Sequence, residues 1–298
     1  MPEGDTLRRL ATKIDRRFAG AVVERSVTRD PRLSGVDLAG RTLVDADSYG
    51  KHLFVRFDDG RSLHAHLLMT GSFAVGRASK ESEWRRRIEL WFPDGRLTGE
   101  AVPILGMMPT RDEHTITDHL GPDLCAVGAA PDPNVVAERL GGAVGEPLSG
   151  AMLDQRLVAG WGNVYVNDVP FICGVNPFQP IDTIGGLADL AGIGIALIRT
   201  NADRGPQNTT GRRLATDARW MHGVGRRPCP YCGDRLEYRS ESQTPWRRSV
   251  TWCATCQPTA DRVTVDLRRA RRLIGLHPAV KMDVFPAGPG AAGGQVQI

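Results

Sequence analysis

CPYCGDRLEYRSESQTPWRRSVTWCATC, residues 229–256, carries two Cys-x-x-Cys pairs, Cys229 with Cys232 and Cys253 with Cys256, separated by 20 residues. Each pair can set two thiolates on one tight turn, and four thiolates complete a tetrahedral shell with no position left for a substrate. The spacing predicts one structural Zn2+ per chain, held by these four residues, and no organic cofactor. Cys125 and Cys173 lack such spacing and read as buried small hydrophobes. Between the pairs, Tyr238 and the segment from Trp246 to Trp252 read as two strands of a hairpin, with Ser242 to Pro245 in or near its tip and Arg247 and Arg248 close by. A rigid hairpin suits the presentation of a planar guanidinium to a phosphate. A ribbon that only braces a domain or contacts another protein has the same composition.

These arginines belong to a wider basic segment. Between Gly211 and Val250, nine arginines (212, 213, 219, 226, 227, 235, 239, 247 and 248) stand against four acids (217, 234, 237 and 241). A solvated basic face and a polyanion-binding face are both consistent with that imbalance. The whole chain is less biased: its 298 residues carry 38 Lys+Arg and 34 Asp+Glu, a formal +4 that permits a polyanionic partner without requiring one. With 41% apolar side chains the chain can bury a sizeable core, and its length predicts two domains and a smaller module. No run of about 18 apolar residues occurs, and two acids fall within the first five positions, so neither a membrane span nor a secretory leader is expected. A cytoplasmic protein with no membrane partner is the expectation, and paired cysteines of this spacing suit a reducing compartment.

At the other end, MPEGDTLRRL begins the chain. Trimming of Met1 would leave Pro2 with a free secondary amine beside the Glu3 carboxylate, a nucleophile and an acid suited to imine chemistry on an aldehyde sugar. Pro-Glu ahead of a helix is also ordinary helix-start chemistry. Leu7, Leu10, Ile14 and Phe18 recur at helical spacing and predict a helix from about Asp5 to Phe18. Strands follow: Leu53, Val55 and Phe57 alternate, Asp58-Asp59-Gly60 turns, Leu63, Ala65 and Leu67 return, and Ile88, Leu90 and Phe92 repeat the pattern. The first domain is therefore expected to be an antiparallel β-sandwich. GAAPDP, residues 128–133, reads as a hinge, and helices dominate afterwards. Ser149 is placed to cap a helix covering Met152 to Val158 that Gly160 would stop, Trp161-Gly162-Asn163 to turn into a second short helix through Tyr165, and Leu187 to Arg199 to form a third. The small-residue tail after Phe285 is expected to be disordered.

Taken in order, the PEGDT start, GKHLFVRF with Lys51, HLLMTG with Met69, LGPDL, DQRLVAGWGNVYVND and CPYC…CATCQ resemble the formamidopyrimidine-DNA glycosylase and endonuclease VIII family of bifunctional DNA glycosylases, nearest its actinobacterial second endonuclease VIII branch. The likeness spans residues 1 to 258. It implies a multidomain α+β architecture: a catalytic β-sandwich at 1–115, a linker at 116–130, a helical helix-two-turn-helix domain at 131–221, a four-cysteine zinc-finger β-hairpin at 222–258 and an extension at 259–298. Damaged or abasic DNA, single-stranded and bubble DNA included, would be gripped between the domains by a monomer, with a repair protein as a further partner for the extension.

The resemblance also assigns roles. Pro2 would attack C1′ and displace the base, Glu3 would protonate the deoxyribose ring oxygen, and Lys51 would sit in the pocket. Asn163, Arg247 and Arg248 would contact the phosphates flanking the lesion. Met69 would fill the void left by an everted nucleotide. Each has a plainer reading beside it: Lys51 as a surface charge, Asn163 as a turn-former, Met69 as a core filler. The chain departs from the family's pattern at Asp168, where Glu is usual, at Trp161, where Ile or Val is usual, and at Arg247, where Gly is common. The Arg and Phe wedge pair of the formamidopyrimidine branch is not found, which argues against 8-oxoguanine as main substrate. The implied activity is excision of oxidised bases with β,δ-elimination. A binder of abasic or single-stranded DNA that has lost excision is the alternative.

Overall fold

The computed structural model describes residues 2–225, 227–275, 277 and 280. The chain divides into two compact, discontinuous units: Met1–Pro131 with Met152–Asn163 and Asn201–Gln207, and Asp132–Ala151 with Val164–Thr200 and the residues from Asn208 onward.

The first unit opens with α1 (Gly4–Phe18), whose Leu7, Ala11, Ile14 and Phe18 are buried along one stripe, with Asp5 in the first turn and Arg16 and Arg17 in the last, as the helix dipole favours. Eight strands follow: β1 (Arg25–Thr28), β2 (Leu43–Tyr49), β3 (His52–Phe57), β4 (Arg61–His66), β5 (Ser72–Val75), β6 (Arg86–Phe92), β7 (Gly95–Glu100) and β8 (Ile104–Pro109). They form two four-stranded sheets, in the orders β1-β6-β7-β5 and β2-β3-β4-β8, with every pairing antiparallel. Alternating residues of both sheets, among them Leu43, Leu53, Val55, Leu63, Leu90 and Leu97, meet the stripe of α1 in one apolar core. Phe18 stacks on Phe92 with ring centroids 4.2 Å apart. The expected sandwich is thus present. A short helix, α2 (His114–Thr117), follows the last strand.

The second unit contains α3 (Pro133–Gly141), capped by the Asp132 side chain with Pro133 in the first turn, then α4 (Leu148–Leu153), α5 (Asn163–Cys173) and α6 (Leu187–Arg204), whose end groups with the first unit. The expected helix from Ser149 to Val158 ends at Leu153 instead. There the Asp154 carboxylate accepts the Arg156 N–H (2.9 Å), Leu157 N–H returns to the Asp154 carbonyl (3.0 Å), and the Gln155 side chain accepts the Gly160 N–H (3.1 Å). Local side-chain bonds thus displace the helical ladder and leave 154–162 as turns and irregular backbone, with Ala159 alone in a β-bridge. Ser149 is no cap: its hydroxyl donates to the Val166 carbonyl (3.4 Å), the group that Pro170, lacking an N–H, leaves without its helical partner. The helix after Asn163 runs well beyond Tyr165, to Cys173, and the one from Leu187 runs beyond Arg199, to Arg204.

Parallel bridging joins β9 (Ile184–Gly185) to β12 (Val263–Thr264), and β10 (Glu237–Arg239) pairs with β11 (Val250–Trp252) as the hairpin between the cysteine pairs. Trp246 lies outside the strands, packed on Phe178. The extension contributes α7 (Leu267–Ile274), capped by Asp266, whose Arg269 donates to the Phe171 carbonyl (2.9 Å) and lies over the rings of Phe171 and Tyr231. The tail after Phe285 lies outside the described residues. No helix among the described residues is long and apolar enough to cross a membrane.

Candidate active site and metal centre

The irregular segment 157–162, with Asn163 after it, is the frame on which the first unit assembles its polar residues. On one side it holds the chain's start: Gly4 N–H donates to the Gly160 carbonyl (2.9 Å), and Gly162 N–H donates to Glu3 Oε2 (2.9 Å). Glu3 is fully buried. A Cβ on Gly162 would lie 2.5 Å from Glu3 Cδ, and one on Gly4 2.8 Å from Gly160 Cα, so both positions need glycine for close approach. Trp161 is buried, its carbonyl accepting from the Gln155 amide (3.1 Å).

On its other side the segment carries LGPDL. Ala159 bridges Asp123 in parallel, Leu124 N–H donates to the Ala159 carbonyl (3.1 Å), and Gly121 N–H donates to the Gln155 carbonyl (2.8 Å). Asp123 is buried, and burial lifts its carboxyl to about 6, although the N–H groups of Cys125 and Gly50 and the charge of Arg8 act to lower it. Near this carboxyl lies the turn that bears Lys51, the two-residue connection between Tyr49 and His52 at the paired ends of β2 and β3.

Lys51 is half-buried and sits beside three histidines that sequence reasoning did not single out. His52 and His64 stack, their Nδ1 and Nε2 2.9 Å apart, and His66 meets His52 edge-on. Burial, with repulsion from His66, His64, His119 and Lys51, pushes His52 down to about 3. Burial, then Lys51 and His64, pushes His66 down to about 4. The rings are therefore neutral at neutral pH, leaving Lys51 as the cation of the group. Their signal in the sequence was the alternation of His64 and His66 on one face of β4.

Pro2, half-buried, lines a cavity of about 400 Å³ with Thr6, Leu67 and Phe73. In the nearby β4–β5 loop Met69 is 66% exposed and follows Leu68, whose φ is +44°. Met69 is thus no core filler.

In the second unit, Asn167 and Asp168 of α5 turn inward. Asn167 accepts the Thr251 N–H (2.7 Å) and so ties the helix to β11. The Asp168 carboxylate accepts the N–H groups of Trp220 (3.0 Å), Met221 (2.8 Å) and His222 (2.9 Å) and the hydroxyl of Thr209. The shorter acid is a buried anchor for the segment after α6, a role no spacing in the sequence announced. At the hairpin tip Thr244 accepts the Arg248 N–H (3.1 Å) and donates to its carbonyl (2.7 Å), while Arg247 adopts φ +53°. Glycine is favoured in that conformation, which explains the pattern from which Arg247 departs.

The Sγ atoms of Cys229, Cys232, Cys253 and Cys256 all lie within 4.8 Å of one another, with 3.9 Å between Cys229 and Cys256 and 3.5 Å between Cys232 and Cys253. Tetrahedral metal–sulfur bonds of about 2.3 Å put sulfurs about 3.8 Å apart, so these thiols can hold a metal ion.

Residues 1–100 match the model of the formamidopyrimidine-DNA glycosylase N-terminal domain. The chain is 36% identical over 263 residues to the probable endonuclease 8 2 of Streptomyces coelicolor, covering 86% of this chain and 94% of that one. The chain belongs to the formamidopyrimidine-DNA glycosylase and endonuclease VIII family. Another relative, the DNA-(apurinic or apyrimidinic site) lyase Nei2 of Mycolicibacterium smegmatis, is 33% identical over 257 residues, 86% of this chain and 99% of its own. Both matches fit the actinobacterial second endonuclease VIII branch expected from the motifs. Among solved structures, MutM (Fpg) of Thermus thermophilus shares the fold with a TM-score of 0.69 at 24% identity, over 87% of this chain and all of that one. Lactococcus lactis Fpg non-covalently bound to AP-site DNA shares it with a TM-score of 0.72 at 19% identity, with the same coverage.

Proposed function

We propose that this family member is a bifunctional DNA glycosylase and AP lyase acting on damaged or abasic DNA through an amine at Pro2. The observation that carries the reading is the burial of Glu3, its carboxylate held by the Gly162 N–H (2.9 Å), directly beside a Pro2 that lines an open cavity. With Met1 removed, the Pro2 nitrogen attacks C1′; the glycosidic C–N bond breaks and its electron pair leaves with the base, which takes a proton. Glu3 gives a proton to the ring oxygen as the C1′–O4′ bond opens, and the secondary amine is left as an iminium. The iminium acidifies C2′–H. Loss of that proton expels the 3′ phosphate, a second elimination expels the 5′ phosphate, and water hydrolyses the imine to regenerate Pro2. An α-amine suits this step because its reference pKa lies well below that of a lysine.

Lys51, on the tight turn between β2 and β3 and bordered by neutral histidines, supplies a positive charge toward phosphate or the reacting sugar. Met69 is the apolar wedge that enters the stack when the damaged nucleotide leaves it. Asn163, Arg247 and Arg248 bind phosphates, and zinc in the four-cysteine site holds the hairpin that carries the two arginines. The protein acts in the bacterial cytoplasm, on the nucleoid.

The test is covalent capture: protein of verified N-terminal mass is incubated with abasic-site DNA and borohydride. A protein–DNA adduct that Pro2→Gly abolishes is expected. Absence of adduct from Met1-free protein that still binds the DNA would instead identify an inactive reader of abasic sites.

A further inference from the structure

The first unit contains a second, larger cavity of about 790 Å³ whose lining is unlike that around Pro2. Arg9, Lys13, Arg16, Arg17 and Arg77 surround it, against the single carboxylate of Asp203. The two cavities share Arg9, Lys13 and Val75, so they adjoin along α1. Arg9, Lys13 and Arg16 recur at i, i+4 and i+7 and lie on one helix face. Two of the cations are fixed: Arg9 donates to the Asn201 carbonyl (2.7 Å), and Arg17 donates to the Asp94 carbonyl. Lys13, Arg16 and Arg77 are exposed and make no ion pair among the described residues. No part of the reaction at Pro2 uses this concentration of charge.

We infer that this groove binds the phosphates of an unpaired DNA strand leading away from the nucleotide held at Pro2. From Pro2 to Arg17 the helix advances about 22 Å at 1.5 Å per residue, long enough to run beside several nucleotides of a single strand. Its volume, about 790 Å³, is that of a pocket for a small ligand, a scale that suits nucleotides entering singly. Fixed guanidinium groups at Arg9 and Arg17 supply preorganised donors, and the exposed ends of Lys13, Arg16 and Arg77 supply counterion-releasing charge. The inference rests on the reading of Pro2 as the site of the damaged nucleotide.

Arg16 and Arg77 line only the larger cavity, so the double variant Arg16→Gln/Arg77→Gln isolates it. Affinity is measured against a single strand carrying an uncleavable abasic analogue near its middle and against the same site in blunt duplex, over a series of salt concentrations. The expected result is a loss of about tenfold on the single strand at low salt, with the slope of log affinity on log salt falling by about 1.4, and less than a twofold loss on duplex. A control variant, Arg25→Gln/Arg111→Gln, removes equal charge outside the groove and should change neither. Equal losses on both DNAs, an unchanged salt slope, or an equal effect of the control would overturn the inference. So would a groove variant that binds DNA normally but has lost affinity for polyglutamate, which would assign the groove to an acidic protein. Because binding is read on uncleavable DNA, failure of borohydride capture by the wild type counts against the chemistry at Pro2 and is a separate result.

Discussion

A methyl group at Gly162 has nowhere to go except into the Glu3 carboxylate, 2.5 Å from the position its carbon would take. Gly162→Ala should therefore displace the acid while leaving Pro2 in the chain, and adduct formation at saturating DNA should slow on the order of 100-fold, the usual worth of a positioned acid. Glu3→Gln should give a similar loss, and a much smaller effect of Gly162→Ala would count against the clamp. At the hairpin tip the sign is opposite for stability. Arg247 occupies φ +53°, a conformation costing a non-glycine residue about 1 kcal/mol, so Arg247→Gly should raise unfolding free energy by up to about that amount. On the proposed reading of Arg247 as a phosphate contact, the same change should lower the salt slope of duplex binding by about 0.9. Denaturant melts and a salt titration of one variant check both halves.

Some elements follow from local pattern and others do not. The stripe of α1, the alternation of β3, β4 and β6, and the Cys-x-x-Cys pairs were legible because each is a short-range periodicity with one solution. The segment 154–162 was not: its apolar residues sit at helical spacing, yet side chains of Asp154 and Gln155 capture the backbone groups a helix needs. Pro170 gives the complementary case, a proline inside α5 that the helix absorbs because Ser149 serves the carbonyl it strands. Asp168 reads from sequence only as a departure from pattern, since three of its four partners lie more than 50 positions away. Asp168→Ala takes this acceptor from the buried N–H groups of Trp220 and Met221 and from His222, and should cost about 3 to 5 kcal/mol. Thermal unfolding should report it, and a loss under about 1 kcal/mol would remove Asp168 from its role as anchor. With zinc held by the four cysteines as proposed, its chelation should release β10 and β11 and weaken DNA binding, without melting the sandwich core of the first unit. Near-ultraviolet circular dichroism with a DNA titration would reveal any wider collapse.

For the molecule as a whole, the buried histidines set an acid limit. His52 and His66 stay neutral in the folded protein down to about pH 3 and 4, whereas in the unfolded chain they take up protons near pH 6.5. Below about 6.5 the unfolded state thus binds more protons, and stability declines as the pH is lowered until the folded rings titrate as well. Two such shifts are worth several kcal/mol together, at about 1.4 per pKa unit. Asp123 works in the opposite direction: lifted to about 6, it favours folding while protonated and loses that contribution as pH rises from about 4 through 6. Unfolding free energy measured from about pH 4 to 8 should therefore climb with pH, and His52→Asn should flatten the slope; an unchanged slope would show that this cluster does not govern acid stability.

The clamp between Glu3 and Gly162 joins positions 159 residues apart. During synthesis the chain's start must therefore remain undocked until the ribosome has delivered its partner, roughly 8 to 30 s later at about 5 to 20 residues per second. That interval is when a peptidase can reach the initiator methionine without competing against a folded protein. On the proposed reading of Pro2 as the reacting amine, removal of Met1 and completion of the fold are in this way scheduled by chain length, the first open to enzymes throughout the period in which the second cannot occur.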